Sequence, residues 1–340
     1  MKKLYLICNE KIFYNKKNHF CENKDIQSII NFLSLKLKSQ LQVIARYSKS
    51  AQPFKLKKFS NFYIFRAIKI LSFFSIFFSI LEKKRILIIS ITPFSFALFL
   101  IFKFFFNCKF FIYLRSDGHK EYEKILGKNY VRIYEFMFKY ITQYSDVISC
   151  NRQLFKKKSH ILYPSELSIN WQKKIKKNIF KNNIIKILYV GRFKIEKGVY
   201  SLLDILNKLP DYIKLVLVGT GDLLKFKNDR VEIIDFVKNE KKLISMYDST
   251  NIFILPSYTE GHPKVIDEAL SRMRPVIVFN DIKHVIQNRH GIFSVRRSSR
   301  QLLQTINYIK DNNKLISKQL ILNKLPQKKE FLRQLYKIIS

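Results

Sequence analysis

The chain has 340 residues and a mass of 40.7 kDa, long for one compact domain and suited to two of ordinary size. Apolar residues make up 47%, with only eight Gly and eight Pro, which excludes extensive disorder and collagen-like or Gly/Pro-rich repeats. Lys and Arg number 63 against 25 Asp and Glu, a formal charge of +38, so the surface suits anionic partners: phosphate, nucleic acid or anionic lipid. The accompanying richness in Ile, Phe, Asn and Tyr is that of an AT-biased genome, so charge alone does not specify nucleic acid.

In chain order, Leu4–Cys8 reads as a short strand and Asp25–Leu37 as a helix with apolar residues at helical spacing. Leu4–Cys8 is too short for a signal-peptide core, so no secretory leader is expected. Cys8, Cys21, Cys108 and Cys150 show no paired spacing and no C-x-x-C, which argues against disulfides and zinc and for a reducing, cytoplasmic compartment. Ile86–Leu114 is almost continuously apolar and about long enough to span a membrane. Thr92-Pro93, Lys103 and Asn107–Lys109 break it, however. The breaks predict a strand over Ile86–Ile91, a helix opened by Pro93 and a strand over Phe110–Leu114. Asp146–Ser149 reads as a further strand. Phe73–Phe78, among Lys55, Lys57, Lys58, Arg66, Lys69, Lys83, Lys84 and Arg85, is the segment expected to touch lipid; residues 1–116 carry 21 Lys/Arg against four Asp/Glu.

Residues 151–186 hold ten Lys/Arg and one Glu, a composition suited to a solvated linker. From there strands and helices alternate. Strands are predicted at Lys186–Val190, Lys214–Val218, Val231–Ile234, Ile252–Leu255 and Val276–Phe279. Helices are predicted at Tyr200–Leu209, Lys242–Tyr247 and Val265–Arg272. This alternation means a parallel sheet covered on both faces. The fold class is therefore α/β with two Rossmann-like domains: residues 1–163, a basic linker at 164–183, and residues 184–320. A C-terminal helix within 321–340 is expected to pack back on the first domain.

Two constellations carry chemistry. Gly191-Arg192-Phe193-Lys194-Ile195-Glu196-Lys197-Gly198 follows a strand, where ligands of such sheets bind. Arg192 offers a fork and Lys197 a point charge, a combination suited to a diphosphate; a surface turn in a Lys-rich chain reads similarly. The second is Glu260-Gly261-His262-Pro263-Lys264-Val265 running into Glu268. Pro263 suits a helix first turn, so neighbouring N–H groups form an anion site. Glu260 and Glu268, roughly 8–10 Å apart along the axis, match a sugar's hydroxyls and a ribose diol.

Together with the VGTG turn at Val218–Gly221, RPVIV at Arg274–Val278 and NRHGI at Asn288–Ile292, in this order and spacing, these motifs resemble the C-terminal domain of the family-four retaining glycosyltransferases of GT-B fold. The resemblance covers roughly residues 184–310. It implies two domains facing each other across a cleft and a nucleotide-sugar donor of UDP or GDP type, with no further cofactor and no catalytic metal. It places Arg192 and Lys197 on the donor diphosphate, Glu260 near the donor sugar, Glu268 on the ribose, and the backbone of Gly261–Val265 on phosphate and sugar. Gly191, which opens the turn, belongs to the same set. In the first domain Asp117 and His119, after a strand, stand where many members carry a histidine near the reacting centre; Asp117-Gly118 also reads as a simple turn. The family's Gly-rich loop after the first strand is absent, and Asp235 replaces the glycine before the base-binding loop, which leaves acceptor and base open.

The implied activity is hexosyl transfer to a glycan or lipid-linked acceptor in cell-surface polysaccharide or lipopolysaccharide synthesis. The expected location is cytoplasmic and peripheral, against an anionic membrane face, without nucleic acid as partner. The absence of a D-x-D pair and of metal-ligand spacing among the six histidines agrees with a metal-free reaction. The rivals are a sugar-nucleotide epimerase or phosphorylase of similar shape and, from other classes, a basic nucleic-acid-binding protein or an integral membrane protein.

Overall fold

A computed structural model describes residues 3–15, 18–56, 61–65, 84–176, 180, 184–223 and 226–340. Phe73–Phe78, Lys57, Lys58, Arg66, Lys69 and Lys83 lie outside the described residues. The chain divides into two units, Met1–Pro164 with Lys329–Ser340, and Ser165–Lys328. Each has its own sheet.

The first unit holds β1 (Leu4–Asn15), β2 (Asn18–Cys21), α1 (Lys24–Leu37), β3 (Leu41–Tyr47), β4 (Phe54–Lys55), β5 (Asn61–Phe65), β6 (Lys84–Ile89), α2 (Pro93–Phe105), β7 (Cys108–Leu114), α3 (Gly118–Leu126), α4 (Lys128–Gln143), β8 (Ser145–Ser149) and β9 (His160–Ile161). Strand β1 is longer than its apolar run. Its first half lies between β3 and β6, parallel to both, and its second half turns out to pair antiparallel with β2. Alternate side chains of β1 serve opposite faces, as a strand's twofold period requires. Leu4, Leu6 and Cys8 meet Ile26, Ile29, Ile30 and Leu33 of α1. Tyr5 and Ile7 share the other core with Leu98, Phe99 and Phe102 of α2 and with Met137 and Ile141 of α4.

The apolar block at 86–114 is strand, helix and strand. Thr92 caps α2 in a reciprocal capping box with Ser95, and Pro93 opens it, where its missing N–H costs nothing. Among the described residues no helix is long and apolar enough to cross a membrane.

Two of the basic residues assigned to a lipid surface do other work. Lys84 is buried, its ammonium 5.2 Å from the Tyr5 ring centroid and 5.9 Å from that of Phe106, an attraction that grows once water is excluded. Arg85 Nη1 donates to the carbonyls of Ile339 at 2.9 Å and Ser340 at 2.6 Å. Both thus serve the fold of the first unit. The C-terminal helix Lys328–Ile339 supplies Phe331, Leu332, Leu335 and Ile339 to the α1 face of that unit.

The second unit is a six-stranded parallel sheet of β10 (Ile185–Val190), β11 (Ile213–Val218), β12 (Val231–Ile234), β13 (Ile252–Leu255), β14 (Val276–Phe279) and β15 (Ile292–Val295), in the order β12-β11-β10-β13-β14-β15. Its helices are α5 (Val199–Leu206), α6 (Glu240–Asp248), α7 (Lys264–Ser271), α8 (Ser299–Asp311) and α9 (Asn313–Leu320). The strand order turns back beside β10, and both motif turns leave the carboxyl ends of the two central strands, β10 and β13, where such sheets bind ligands.

The stretch 164–183, read as a solvated linker, differs from that reading in its first half. Leu167 and Trp171 are buried in the core of the second unit, with Trp171 edge-on to Tyr247 at 5.4 Å. The backbone carbonyls of Trp171, Lys173 and Lys174 accept hydrogen bonds from Arg272. The lysines that suggest solvent follow the two buried anchors, and at Lys173 and Lys174 it is the backbone that is held.

Candidate functional site

Strand β10 ends at Gly191, and the chain turns through a short 3-10 helix at Ile195–Lys197 before α5. Two neighbouring glycines make this turn sterically feasible. Gly198 adopts φ +67°, and a Cβ there would lie 2.0 Å from the Pro256 carbonyl oxygen. A Cβ on Gly219 of the VGTG turn would lie 1.7 Å from the Gly191 carbonyl oxygen. Backbone bonds lock the loops together: Phe193 N–H to Thr220 O at 2.7 Å and Tyr258 N–H to Glu196 O at 3.0 Å. Beneath the turn, the buried Tyr189 hydroxyl donates to Arg192 O at 2.8 Å. Burial, and next the Glu260 charge, push its pKa upward, so it remains a donor. The Arg192 side chain is exposed.

The two motifs meet at Lys197 and Glu260. Lys197 Nζ lies 2.7 Å from Glu260 Oε1, which also accepts from Ser257 Oγ at 2.7 Å. His284 Nε2 sits 2.8 Å from the Glu260 carbonyl oxygen. Lys197 and Glu260 are largely buried, with side-chain exposures of 22% and 12%. This geometry gives a cation and a carboxylate locked to each other, the carboxylate also held by Ser257, beside the start of α7.

Helix α7 begins one residue later than expected for Pro263: Pro263 is its N-cap, and Lys264 and Val265 form its first turn. First-turn N–H groups have no intrahelical acceptor and carry the positive end of the helix dipole. Gly261 and Pro263 are buried. The His262 side chain does not face that end. It is 3% exposed, with Nε2 3.0 Å from Asp267 Oδ2, and Asp267 Oδ1 accepts from Arg289 Nη1 at 2.5 Å. His262 therefore contributes to the turn through its backbone, while its ring holds the loop to α7. Glu268, fifth in the helix, is buried and accepts from Tyr247 Oη at 2.8 Å. Burial and the Glu268 charge raise the Tyr247 pKa.

Burial by itself would raise the Asp267 carboxyl; hydrogen bonds and charge from His262 and Arg289 outweigh it, and the pKa falls below the ordinary aspartate value. A depressed carboxylate stabilises the fold above its unfolded pKa, near ~3.9, and that stability is lost as pH falls through the folded value. The second unit is thus expected to lose thermal stability steeply below about pH 4, and Asp267→Asn to flatten that acid limb while lowering Tm at neutral pH. A pH series of thermal melts checks it; an unchanged acid limb in Asp267→Asn defeats the assignment.

In the first unit, Asp117 caps α3 by accepting from Lys120 N–H at 3.3 Å, and Gly118 is buried beneath the Tyr134 ring. His119 Nε2 contacts Glu135 Oε2, and its ring meets Tyr134 and Phe138 at 4.7 and 4.9 Å. Asp117 and His119 share one helix start, with His119 Nδ1 3.8 Å from Asp117 Oδ1. Elsewhere in this unit Arg115 pairs with the buried Asp25, and Asn23 Nδ2 donates to both Glu10 oxygens at 2.9 and 2.7 Å. Among the described residues no group of His, Cys, Asp and Glu is placed to hold a metal ion.

Sequence reasoning missed the arginines around the site. Arg297 donates to Pro256 O at 2.6 Å and to Ser201 Oγ at 2.8 Å, pairs with Asp281 at 2.9 Å, and stacks 3.8 Å over Tyr258. It fixes the loop that carries Glu260. A signal existed: Lys outnumbers Arg about threefold in this chain, so an arginine often marks a place needing a planar fork.

Comparison with known proteins bears on the segment that carries both motifs. Residues 185–312 match the family described as Glycosyl transferases group 1. An uncharacterized glycosyltransferase of Methanocaldococcus jannaschii is 29% identical over 208 residues, 52% of this chain and 49% of that protein. The N,N'-diacetylbacillosaminyl-diphospho-undecaprenol alpha-1,3-N-acetylgalactosaminyltransferase of Campylobacter jejuni is 26% identical, over 54% of this chain and 55% of that one. The chain thus spans about half the length of these curated relatives. The solved structure of Anabaena HepE in complex with UDP and glucose aligns over 100% of both chains with a TM-score of 0.70 at 14% identity, which shows a shared fold, the GT-B arrangement of two Rossmann-like domains. The similarity to the group 1 glycosyl transferases lies in segment 185–312, which carries both motif turns.

Proposed function

We propose that the protein is a retaining, metal-independent hexosyltransferase. It would move a sugar from a UDP- or GDP-type donor to a glycan or lipid-linked acceptor in cell-surface polysaccharide synthesis, working peripherally at the cytoplasmic membrane face. The observation that carries the reading is the Lys197–Glu260 pair beside the α7 N-terminus, inside the segment that matches the family. HepE supports a nucleotide-sugar donor, being solved with UDP and glucose. The Campylobacter relative supports a lipid-linked acceptor, being named for one carried on diphospho-undecaprenol.

In this reading the anomeric carbon–oxygen bond breaks and negative charge grows on the leaving diphosphate. Arg192, Lys197 and the first N–H groups of α7 stand ready for that charge, so they stabilise the transition state more than the ground state. Glu260, oriented by Lys197 and Ser257, accepts from the donor sugar's hydroxyls, and Glu268 from the ribose.

The test is nucleotide release from a panel of UDP- and GDP-sugars, with and without polyprenyl-diphosphate-linked acceptors. Acceptor-dependent release from one donor supports the reading; interconversion of sugars without release gives the epimerase instead, and phosphate-dependent release gives the phosphorylase. The same assay in excess EDTA is expected to run at an unchanged rate, since Arg192, Lys197 and the helix dipole carry the charge. Loss of turnover on chelation, restored by Mg²⁺ or Mn²⁺, would overturn metal independence.

A further inference from the structure

Helix α7 carries a carboxylate at a place where an apolar side chain would pack more favourably. Glu268 is 7% exposed, and a buried charge is unfavourable unless partners hold it. One such partner is Tyr247, near the end of α6, whose hydroxyl donates to Glu268 Oε2 at 2.8 Å. Tyr247 itself has no room to turn. Its ring is fully buried, stacked on Phe253 at 5.6 Å and met edge-on by Trp171 at 5.4 Å. Its backbone carbonyl accepts from Arg274 Nε at 2.8 Å. Trp171 lies in the segment clasped by Arg272, the residue that caps the C-terminus of α7. Tyr247 is therefore fixed at ring, backbone and hydroxyl, and one oxygen of Glu268 has a set position.

A ribose diol needs a carboxylate presented in one orientation. A glutamate with free rotamers loses that freedom on binding, whereas one already held loses less. A carboxylate oxygen has two lone-pair sites, so Oε2 can accept from Tyr247 and from a ribose hydroxyl together. Taking Glu268 as the ribose ligand, as in the function proposed above, we infer that Tyr247 is a positioning residue for the donor. By holding Glu268 Oε2 it aims the carboxylate at the diol and sets the preference for a ribonucleotide over one lacking both hydroxyls.

Calorimetric titration of the full chain with UDP, GDP and their 2′,3′-dideoxy forms tests this. Whichever ribonucleotide binds, its dideoxy form is expected to bind ~10²-fold more weakly or worse, since a site that hydrogen-bonds hydroxyls rejects the analogue without them. In Tyr247→Phe that ratio is expected to fall about tenfold, because the ribonucleotide weakens and the dideoxy form does not. With the donor found in the nucleotide-release panel, KM is expected to rise by a similar factor while kcat changes less than about threefold. Tyr247→Phe/Glu268→Ala is expected to bind no more weakly than Glu268→Ala alone, since Tyr247 acts through the carboxylate. A tyrosine that merely supports the core would instead lower kcat, Tm and dideoxy binding together. Trp171→Phe leaves the hydroxyl in place and loosens the wall behind the ring, and is expected to lower the ratio in the same direction. Thermal melts check that each variant is folded. An unchanged ratio in folded Tyr247→Phe, or in Trp171→Phe where Tyr247→Phe does not fold, overturns the inference and leaves the donor reading standing. Additive losses in the double variant do the same. Absence of UDP and GDP binding in the wild type overturns the donor reading and this inference with it.

Discussion

Lys197→Ala and Arg192→Ala are each expected to lower kcat by about 10²–10³-fold, equivalent to about 3–4 kcal/mol of transition-state stabilisation, while the protein stays folded. The two losses differ in kind. Arg192 is exposed at the end of β10, so its removal subtracts a charge and leaves its surroundings unchanged. Lys197 is paired at 2.7 Å with Glu260, and its removal also releases the carboxylate proposed for the donor sugar. A double-mutant cycle separates these effects. If Lys197 acts partly by orienting Glu260, Lys197→Ala/Glu260→Gln costs less than the sum of the single changes, whereas Arg192→Ala/Glu260→Gln is closer to additive. The readouts are kcat and donor KM with the donor found in the nucleotide-release panel. Near-normal turnover in both single variants removes the diphosphate assignment.

The second unit was legible because its strands are buried on both sides. Ile185–Val190 and Ile252–Leu255 each read as a short apolar run ended by Gly191 or Pro256, and observed bounds fall within a residue or two of the sequence reading. The first unit hid more. Leu41–Tyr47 carries Gln42 and Arg46, so it forms neither a clean run nor a clean alternation, although five of its residues are buried. The second half of β1 is held by its hairpin partner, a tertiary cause invisible in local pattern. At the site the motif backbone was readable from Gly, Pro and spacing. The surroundings were not: His262 turns inward because Asp267 and Arg289 wait beneath it, and Arg289, from a later loop, must fold into place before that becomes a reason. Charge pattern likewise mistook Trp171–Lys174 for solvated chain, because what holds it is one arginine a hundred residues away.

That arginine carries the largest stability effect expected in the second unit. Arg272 is 1% exposed, and all five of its donors are used. Nε and Nη2 grip Asp248 at 2.9 and 2.7 Å, and the remaining donors reach the carbonyls of Trp171, Lys173 and Lys174 at 2.9, 2.9 and 3.0 Å. Arg272→Met keeps the packing volume but strands a buried carboxylate and three carbonyls, a cost of about 3–5 kcal/mol. For a unit of this size that lowers Tm by about 10 °C or more. Arg272→Lys keeps the charge but not the fork, and is expected to recover only part of the loss. Because the penalty comes from the stranded partner, Arg272→Met/Asp248→Leu is expected to be less destabilised than Arg272→Met alone. Arg274 remains beside the vacated position, its Nη2 3.8 Å from Asp248 Oδ1 and its pKa lowered to about 10, mainly by burial. It limits the rescue in the double variant, where it is left without that carboxylate. Calorimetry on the full chain reads all of this. A drop of less than about 2 °C in Arg272→Met would mean that water replaces the guanidinium at little cost, and the 171–174 segment would then be held by Trp171 packing instead.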